Sequence, residues 1–133
     1  MSNASTFIDI YTNLGYLFYS VAAGDGKVRP AEAERLKALV KEKWLPLEAS
    51  RDEFGTDAAH YIGMSFDFAR SEAMDGDAAF QRFAEEYRGQ AARFDDGLKR
   101  MVLGTAKAIS EAFSGTNEAE LARLDALGKL LGR

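Results

Sequence analysis

Residues 14–40 read LGYLFYSVAAGDGKVRPAEAERLKALV, an apolar segment and a charged segment joined by a turn that contains glycine and aspartate. In the first segment, apolar side chains recur at three- and four-residue spacing, which is typical of a helix. Gly24 and Gly26 end that helix, because glycine readily adopts the positive φ that helix exits need. Pro30 suits the first position of a second helix, where its missing N–H costs nothing. The segment therefore predicts two helices with Asp25 in the turn between them.

The whole chain has the composition of a helical protein. Only 2 prolines occur in 133 residues, and the alternation of apolar and polar residues that is typical of strands is missing. With 47% apolar residues the chain has enough hydrophobic material for one core, so we expect a single all-α domain over residues 1–133. Residues 1–4 are expected to be disordered or the remnant of an expression tag, so no helix is assigned to them.

Periodicity and capping signals divide the chain into six predicted helices. The first is expected over residues 5–23, and because it is apolar around most of its circumference, we place it at the middle of the bundle. The second should run from Pro30 to Trp44 and be ended by Pro46. The other four are expected to begin at Ser50, after the Asp75-Gly76-Asp77 turn, at Ala92 and at Asn117.

The predicted core consists of the apolar stripes of these helices. On the third helix, Phe66 and Phe68 lie about 200° apart around the helix axis, so only one of them can face the core. The other is expected either to be exposed and, with Met64, to form a patch that a partner could bind, or to cover another helix of the bundle. The remaining predicted core positions include Phe7, Tyr11, Leu14, Phe18, Val21, Leu36, Leu39, Val40, Trp44, Phe54, Ala58, Tyr61, Ile62, Phe68 or Ala69, Phe80, Phe83, Ala84, Tyr87, Phe94, Leu98, Met101, Val102, Thr105, Ile109, Leu121, Leu124, Leu127 and Leu130 or Leu131.

A faint internal repeat is also visible. Residues 107–131, KAISEAFSGTNEAELARLDALGKLL, follow the arrangement of residues 19–43, YSVAAGDGKVRPAEAERLKALVKEK. Both contain a helix end, a glycine turn and a leucine-rich helix, with Glu32 corresponding to Glu120. The repeat predicts two pseudo-equivalent helical hairpins, although short similarities also arise by chance in leucine-rich chains. The second copy lacks an acid at the place of Asp25, so a charge-dependent role is expected only in the first.

Charge and composition narrow the possible partners. The chain carries 17 Lys and Arg against 21 Asp and Glu, and a net charge of −4 disfavours binding to nucleic acid or anionic lipid. Without cysteine there are no disulfides, thiolate metal sites or cysteine nucleophiles. The apolar runs are shorter than the roughly 20 residues of a spanning helix, and the start, MSNASTFIDIY, lacks the features of an export signal. We therefore expect a bacterial cytoplasmic protein without a membrane span.

Asp25 and Glu32 form the candidate metal site. They offer hard oxygen ligands at two consecutive helix ends, and backbone carbonyls of the glycine turn can add more. This favours a divalent cation, Ca²⁺ or Mg²⁺ rather than Zn²⁺, because the chain has no cysteine and only one histidine. The turn is not an EF-hand, since the loop positions that need oxygen ligands hold Lys27, Arg29 and Leu36.

The same two acids also have a purely structural explanation. With Pro30 as the first helical residue, Glu32 lies third, where the unpaired N–H groups and the helix dipole favour a carboxylate by roughly 0.3–1 kcal/mol. Asp25 can serve only to close the turn. Both explanations stay open from the spacing alone.

The other titratable residues do not indicate an active site. The acidic clusters at residues 75–77, 85–86 and 95–96 lie at predicted helix ends or on polar faces, where solvation explains them. His60 is the only histidine and is expected to be an ordinary, partly buried side chain within helical reach of Asp57. No Ser-His-Asp order, HExxH motif or phosphate-binding loop is present, so we do not expect an enzyme.

Residues 14–40 resemble the tellurite-resistance TerB-like helical family, which also supplies the amino-terminal domain of some membrane-bound J-domain cochaperones. The resemblance rests on Asp25-Gly26 followed by Glu32, seven residues after the aspartate. It is weaker over residues 109–131 and low between the two segments. It implies a compact bundle with two helical hairpins and a metal-binding feature at Asp25 and Glu32.

In function, the resemblance implies a non-enzymatic binding or sensing domain linked to tellurite resistance or to a general stress response. Its partner would be another protein, with a divalent cation as a cofactor. The alternative is a metal-independent protein–protein interaction module that uses the third helix or the groove between the first two helices.

Overall fold

The structure is a computed structural model that describes residues 3–23, 28, 30–48, 58–112 and 118–132. Within these ranges all regular structure is helical, which confirms the predicted all-α class. None of the helices described there has both the length and the hydrophobicity needed to cross a bilayer. The helices are α1 (Asn3–Ala22), α2 (Pro30–Glu48), α3 (Ala58–Ser71), α4 (Gly76–Gly89), α5 (Asp96–Ala112) and α6 (Glu118–Leu131), with a short 3₁₀ helix at Ala91–Arg93.

Helix α1 lies at the middle of the bundle, as its apolar circumference predicts. It packs against α3, α4, α5 and α6. Its side chains Leu14, Leu17 and Phe18 are fully buried in the hydrophobic core. Burial of each such side chain contributes about 1.5–3 kcal/mol. The helix begins at Asn3, so residues 3 and 4, which were expected to be disordered or tag-derived, are helical.

Gly15 allows α1 and α3 to cross at very short distance. A Cβ atom at this position would lie 1.7 Å from Ser65 Oγ and 2.5 Å from the carbonyl oxygen of Ile62. Ser65 Oγ is satisfied within its own helix, because it donates to the carbonyl oxygens of Tyr61 at 3.1 Å and Ile62 at 3.2 Å. The missing side chain at residue 15 therefore fixes how closely the two backbones approach.

Helix α2 packs chiefly against α3 and α5. It buries Ala33, Leu36 and Val40, and Lys37 Nζ donates to Asp67 Oδ2 of α3 at 2.9 Å. Helix α6, in contrast, packs on α5 and α1. The predicted equivalence of the α1–α2 and α5–α6 hairpins is therefore not confirmed.

The end of α2 differs from the prediction. The helix passes through Pro46 and ends at Glu48 instead of ending at Trp44. A proline inside a helix removes one backbone hydrogen bond, and its ring crowds the carbonyl group four residues earlier, which is why Pro46 was expected to end the helix. The helix nevertheless continues two residues beyond Pro46.

The start of α5 also differs from the prediction. The helix begins at Asp96, and not at Ala92, because Asp95 Oδ1 accepts a hydrogen bond from the N–H of Leu98 at 2.8 Å. A side-chain acceptor of this kind marks a helix start. The predicted core stripe is nevertheless correct, and its members Val102, Thr105 and Ile109 are fully buried.

The apolar patterns of the sequence predicted the buried residues of α4 correctly and those of α6 only in part. Helix α4 begins at Gly76 with Asp75 as its N-cap, inside the segment predicted to be the turn before it. The predicted core residues of this helix are buried: Phe80, Phe83, Ala84 and Tyr87. On α6, Leu127 and Leu131 are buried, but Leu121, predicted to be in the core, is 56% exposed. Leu121 lies about 120° from Leu127 around the helix, outside the face that packs on α5 and α1.

Candidate functional site

The predicted metal ligands fall largely outside the described residues. Asp25 is not among them, and Glu32 is the third residue of α2, with a side chain that lies outside the described part of the chain. Their pairing stays a prediction. The described residues on either side of the turn, Ala23 and Val28, are both buried and line the same cleft.

This cleft has a volume of about 670 Å³ and lies where α1, α3, α4 and α6 meet. Small-molecule sites commonly measure about 300–1,000 Å³, so the space suits a small ligand or a side chain of a partner. Ala73, in the turn before α4, has a φ of 51°, a left-handed conformation that non-glycine residues rarely adopt. The lining residues are Tyr19, Ala23, Val28, Arg70, Ala73, Met74, Asp75, Gly76, Asp77 and Arg123.

Arg123 of α6 has a fixed position in the cleft. Its Nη2 donates to Asp77 Oδ1 at 2.8 Å, and its guanidinium carbon lies 5.3 Å from the ring centroid of Phe80, within cation–π range. A Cβ atom at Gly76 would lie 3.3 Å from Nη2, so the guanidinium covers the first turn of α4. Only 15% of the side chain is exposed, and its buried Nε has no hydrogen-bond partner in the described part of the chain.

Arg70, from the last turn of α3, has no such support. It is half-buried and forms no ion pair with any described residue. Its Nε is buried and, within the described ranges, has no hydrogen-bond partner. Arg70 therefore presents a cation to the cleft that no described carboxylate neutralises.

The other polar groups of the cleft are engaged in the fold. Asp75 Oδ2 accepts a hydrogen bond from the N–H of Ala78 at 3.0 Å, and Asp77 pairs with Arg123. Tyr19 Oη donates to the carbonyl oxygen of Met74 at 2.7 Å. Burial and, to a smaller extent, the charge of Asp75 raise the pKa of Tyr19 above its ordinary value of 10.0. The phenol is therefore neutral at physiological pH and acts as a donor.

The described residues contain no cluster of three or more His, Cys, Asp or Glu that could hold a metal ion. Asp75 and Asp77 are the carboxylates that the cleft lining contributes. A cation held there would need further ligands, and it would lie close to two arginines. Neither observation tests the predicted pair Asp25 and Glu32.

His60 is exposed, and its prediction as a partly buried side chain is wrong. Its ring lies 5.8 Å from that of Tyr61 in an edge-on arrangement, and Asp57 lies outside the described residues. His60 precedes Met64 by four residues, so both belong to the outer side of α3. His60 is exposed because this side of α3 points away from the core.

An exposed apolar patch lies on the same side of α3. Met64 is 54% exposed and Phe68 is 50% exposed, and their four-residue spacing places them side by side on the helix. Phe66 points inward, is fully buried, and its ring lies 5.8 Å from that of Tyr19. The prediction that only one of the two phenylalanines faces the core is confirmed. We call Met64 and Phe68 the α3 patch.

Arg70 and Arg123 do not stand out in the sequence as site residues. They are far apart in the chain, and neither belongs to a motif with characteristic spacing. Arg70 follows Ala69, and Arg123 precedes Leu124, in apolar stripes of their helices. An arginine next to a core residue is typical of a side chain that lies at the edge of the core, and this is the one hint in the sequence. Only the packing of α3 and α6 around α1 brings them to the same cleft.

Comparison with known proteins gives no match. No protein-family model, curated protein or solved structure shows significant similarity to this chain. The resemblance of residues 14–40 to TerB-like domains therefore rests on the sequence motif.

Proposed function

We propose that this chain is a TerB-like, non-enzymatic binding or sensing domain whose ligand site is the cleft between α1, α3, α4 and α6. Its setting would be the bacterial cytoplasm, in tellurite resistance or a general stress response. One structural relation supports the choice of site: Ala23 and Val28, which flank the turn with the family signature, both line this cleft. The cleft is also large enough for a small ligand.

In the metal-linked form of this proposal, Asp25 and Glu32 hold a divalent cation, Ca²⁺ or Mg²⁺ in preference to Zn²⁺. Carboxylate oxygens are the ligands that these hard cations prefer. Backbone carbonyl groups of the glycine turn would supply further oxygen ligands, as the sequence predicts.

Isothermal titration calorimetry with Ca²⁺, Mg²⁺ and Zn²⁺ tests the metal-linked form. We expect a saturable heat with the wild-type protein and its loss in Asp25→Ala. Asp9→Ala is the matched control, because Asp9 is an exposed acid of α1 that does not line the cleft. If the wild-type protein binds none of the three ions, the metal-linked form is wrong.

The second candidate is a metal-independent protein–protein interaction module. The α3 patch favours it, since two large apolar side chains are half-exposed next to each other on one helix. Binding of a partner that persists in a chelator and is lost in Phe68→Ser would support this candidate. Leu121→Ser is the matched control, because Leu121 is equally exposed but lies on α6.

A further inference from the structure

We propose that the cleft binds a carboxylate group, with Arg70 as the main partner of that group and Arg123 as the second. This inference rests on the proposed function only in taking the cleft as the ligand site. It requires neither a metal ion nor the acidic turn, so it can be tested separately from the metal-linked form.

The balance of charge in the cleft is the first argument. Two arginines and two aspartates line the cleft, but both aspartates already have partners within the fold. Asp75 caps α4, and Asp77 pairs with Arg123 at 2.8 Å. Arg70 is left half-buried without a described counter-charge, and a cation that is partly removed from water is costly unless an anion pairs with it. An anionic group entering the cleft would supply that partner.

The chemistry of the two guanidinium groups also favours a carboxylate. The Nε atoms of Arg70 and Arg123 are both buried and have no hydrogen-bond partner among described residues. A guanidinium group presents its N–H donors in a planar fork that matches the two oxygens of a carboxylate. Arg123 already binds the carboxylate of Asp77 in this cleft, and its contacts with Asp77 and Phe80 position it in advance. The site therefore combines Arg123, which its contacts hold in place, with Arg70, which forms no ion pair with a described residue.

The aspartates on the wall favour a carboxylate over a phosphate. Because Asp77 pairs with Arg123 and Asp75 caps α4, Arg70 leaves one positive charge in the cleft for an incoming anion to neutralise. A carboxylate brings one negative charge, whereas a phosphate monoester carries about 1.5 to 2 at neutral pH. Repulsion by Asp75 and Asp77 is therefore smaller for the carboxylate.

An NMR titration with sodium acetate tests this inference. At constant ionic strength and with a chelator present, we expect saturable shifts of the backbone amides of Arg70, Gly76 and Arg123. Arg70→Gln should weaken acetate binding by about tenfold, the usual effect of losing a charge-assisted hydrogen bond. Arg88→Gln is the matched control, since Arg88 is an exposed arginine of α4 outside the cleft.

A second variant acts in the opposite direction. Asp77→Asn removes a negative charge from the cleft and with it the ion pair to Arg123, so it should tighten acetate binding. N-acetyl-dialanine and its amide distinguish the sources of the carboxylate: tighter binding of the free peptide than of acetate indicates a chain terminus, and equal binding indicates a small acid. The amide should not bind.

Three results would overturn the proposal: shifts that do not saturate with acetate, equal affinity in Arg70→Gln and wild type, or tighter binding of inorganic phosphate than of acetate. Because a chelator is present throughout, none of them depends on whether the calorimetric experiment detects a metal.

Discussion

The α1–α3 crossing and the cleft share helices α1 and α3 and lie one helical turn apart along α1. They differ in how closely their atoms pack and in how fully their polar groups are hydrogen-bonded. At the crossing, Gly15 leaves no space for a side chain, and the hydroxyl of Ser65 bonds to its own helix. One turn further along α1, Tyr19 lines a cleft of about 670 Å³ in which Arg70 has an unpartnered Nε.

This difference indicates that the crossing serves the stability of the fold and the cleft serves binding. Close packing with every polar group satisfied rigidifies the crossing, but it leaves nothing for a ligand to contact. A buried donor without a partner destabilises the fold, and a ligand that pairs with its group offsets that cost. Substitutions at the crossing should therefore change the free energy of unfolding, and substitutions at Arg70 should change binding.

The largest expected effect is at Phe66, which lies between the two regions. Phe66→Ala should lower the free energy of unfolding by about 3–5 kcal/mol, because the side chain is fully buried and its loss leaves a cavity beside Tyr19. Phe68→Ala, two residues along the same helix, should change it by less than about 0.5 kcal/mol. Urea denaturation of both variants measures the contrast, and comparable losses would contradict the assigned orientation of α3.

The crossing itself is tested by Gly15→Ala, which should cost about 3 kcal/mol, because the added Cβ would clash with Ser65 Oγ and with the Ile62 carbonyl. The control is Gly104→Ala on α5, where a Cβ meets nothing within 4 Å. That variant should be stabilised by roughly 0.5–1 kcal/mol, since alanine favours a helix over glycine.

A double variant refines this prediction. Ser65→Ala removes the nearest clashing atom, but the Ile62 carbonyl oxygen would remain 2.5 Å from the new Cβ. Gly15→Ala combined with Ser65→Ala should therefore recover part of the lost stability and not all of it. Full recovery would show that the hydroxyl alone, and not the closeness of the backbones, requires glycine.

The two arginines of the cleft should respond differently to the same substitution. Arg123→Gln should lower the free energy of unfolding by about 1–2 kcal/mol, because it loses the Asp77 pair and the Phe80 contact. Arg70→Gln should leave it within about 0.5 kcal/mol of wild type, since no described residue pairs with Arg70. A loss in Arg70→Gln as large as in Arg123→Gln would mean that Arg70 has a structural partner.

The smallest effect concerns alkaline pH. The hydrogen bond with Asp67 raises the pKa of Lys37 above its ordinary 10.5, and burial raises the pKa of Tyr19 above 10.0. The folded state therefore keeps protons that the unfolded state loses. The stabilisation is complete below about pH 10 and is lost as pH rises through the folded pKa values.

The alkaline prediction is measured from urea midpoints between about pH 9 and about pH 11, where the wild-type midpoint should fall. Tyr19→Phe should lower stability by about 1 kcal/mol at neutral pH, through loss of the bond to Met74, and should show a shallower alkaline fall. An identical slope in wild type and variant would contradict the role of Tyr19.

Local signals in the sequence predicted much of the fold. The glycine turn, Pro30 at a helix start and the Asp75-Gly76-Asp77 turn act within a few residues, and they placed three helix boundaries near those of the structure. The stripe of α1 predicted its central position because a helix that is apolar on most sides must be surrounded.

Features that depend on tertiary packing were not predictable. The exposure of Leu121 and His60 depends on which face of each helix is covered by a neighbouring helix. Arg70 and Arg123 line the same cleft only because α3 and α6 both pack around α1. The acids of the predicted metal site, Asp25 and Glu32, remain a hypothesis, since their side chains lie outside the described residues.

Stability measured against acetate concentration tests the central claim most directly, because a ligand that binds only the folded state raises the denaturation midpoint. With chloride used to keep ionic strength constant, we predict that acetate raises the urea midpoint of the wild-type protein and of Arg88→Gln, and not that of Arg70→Gln. Equal increases in all three proteins, or none in the wild type, would contradict the assignment of the cleft as a carboxylate site.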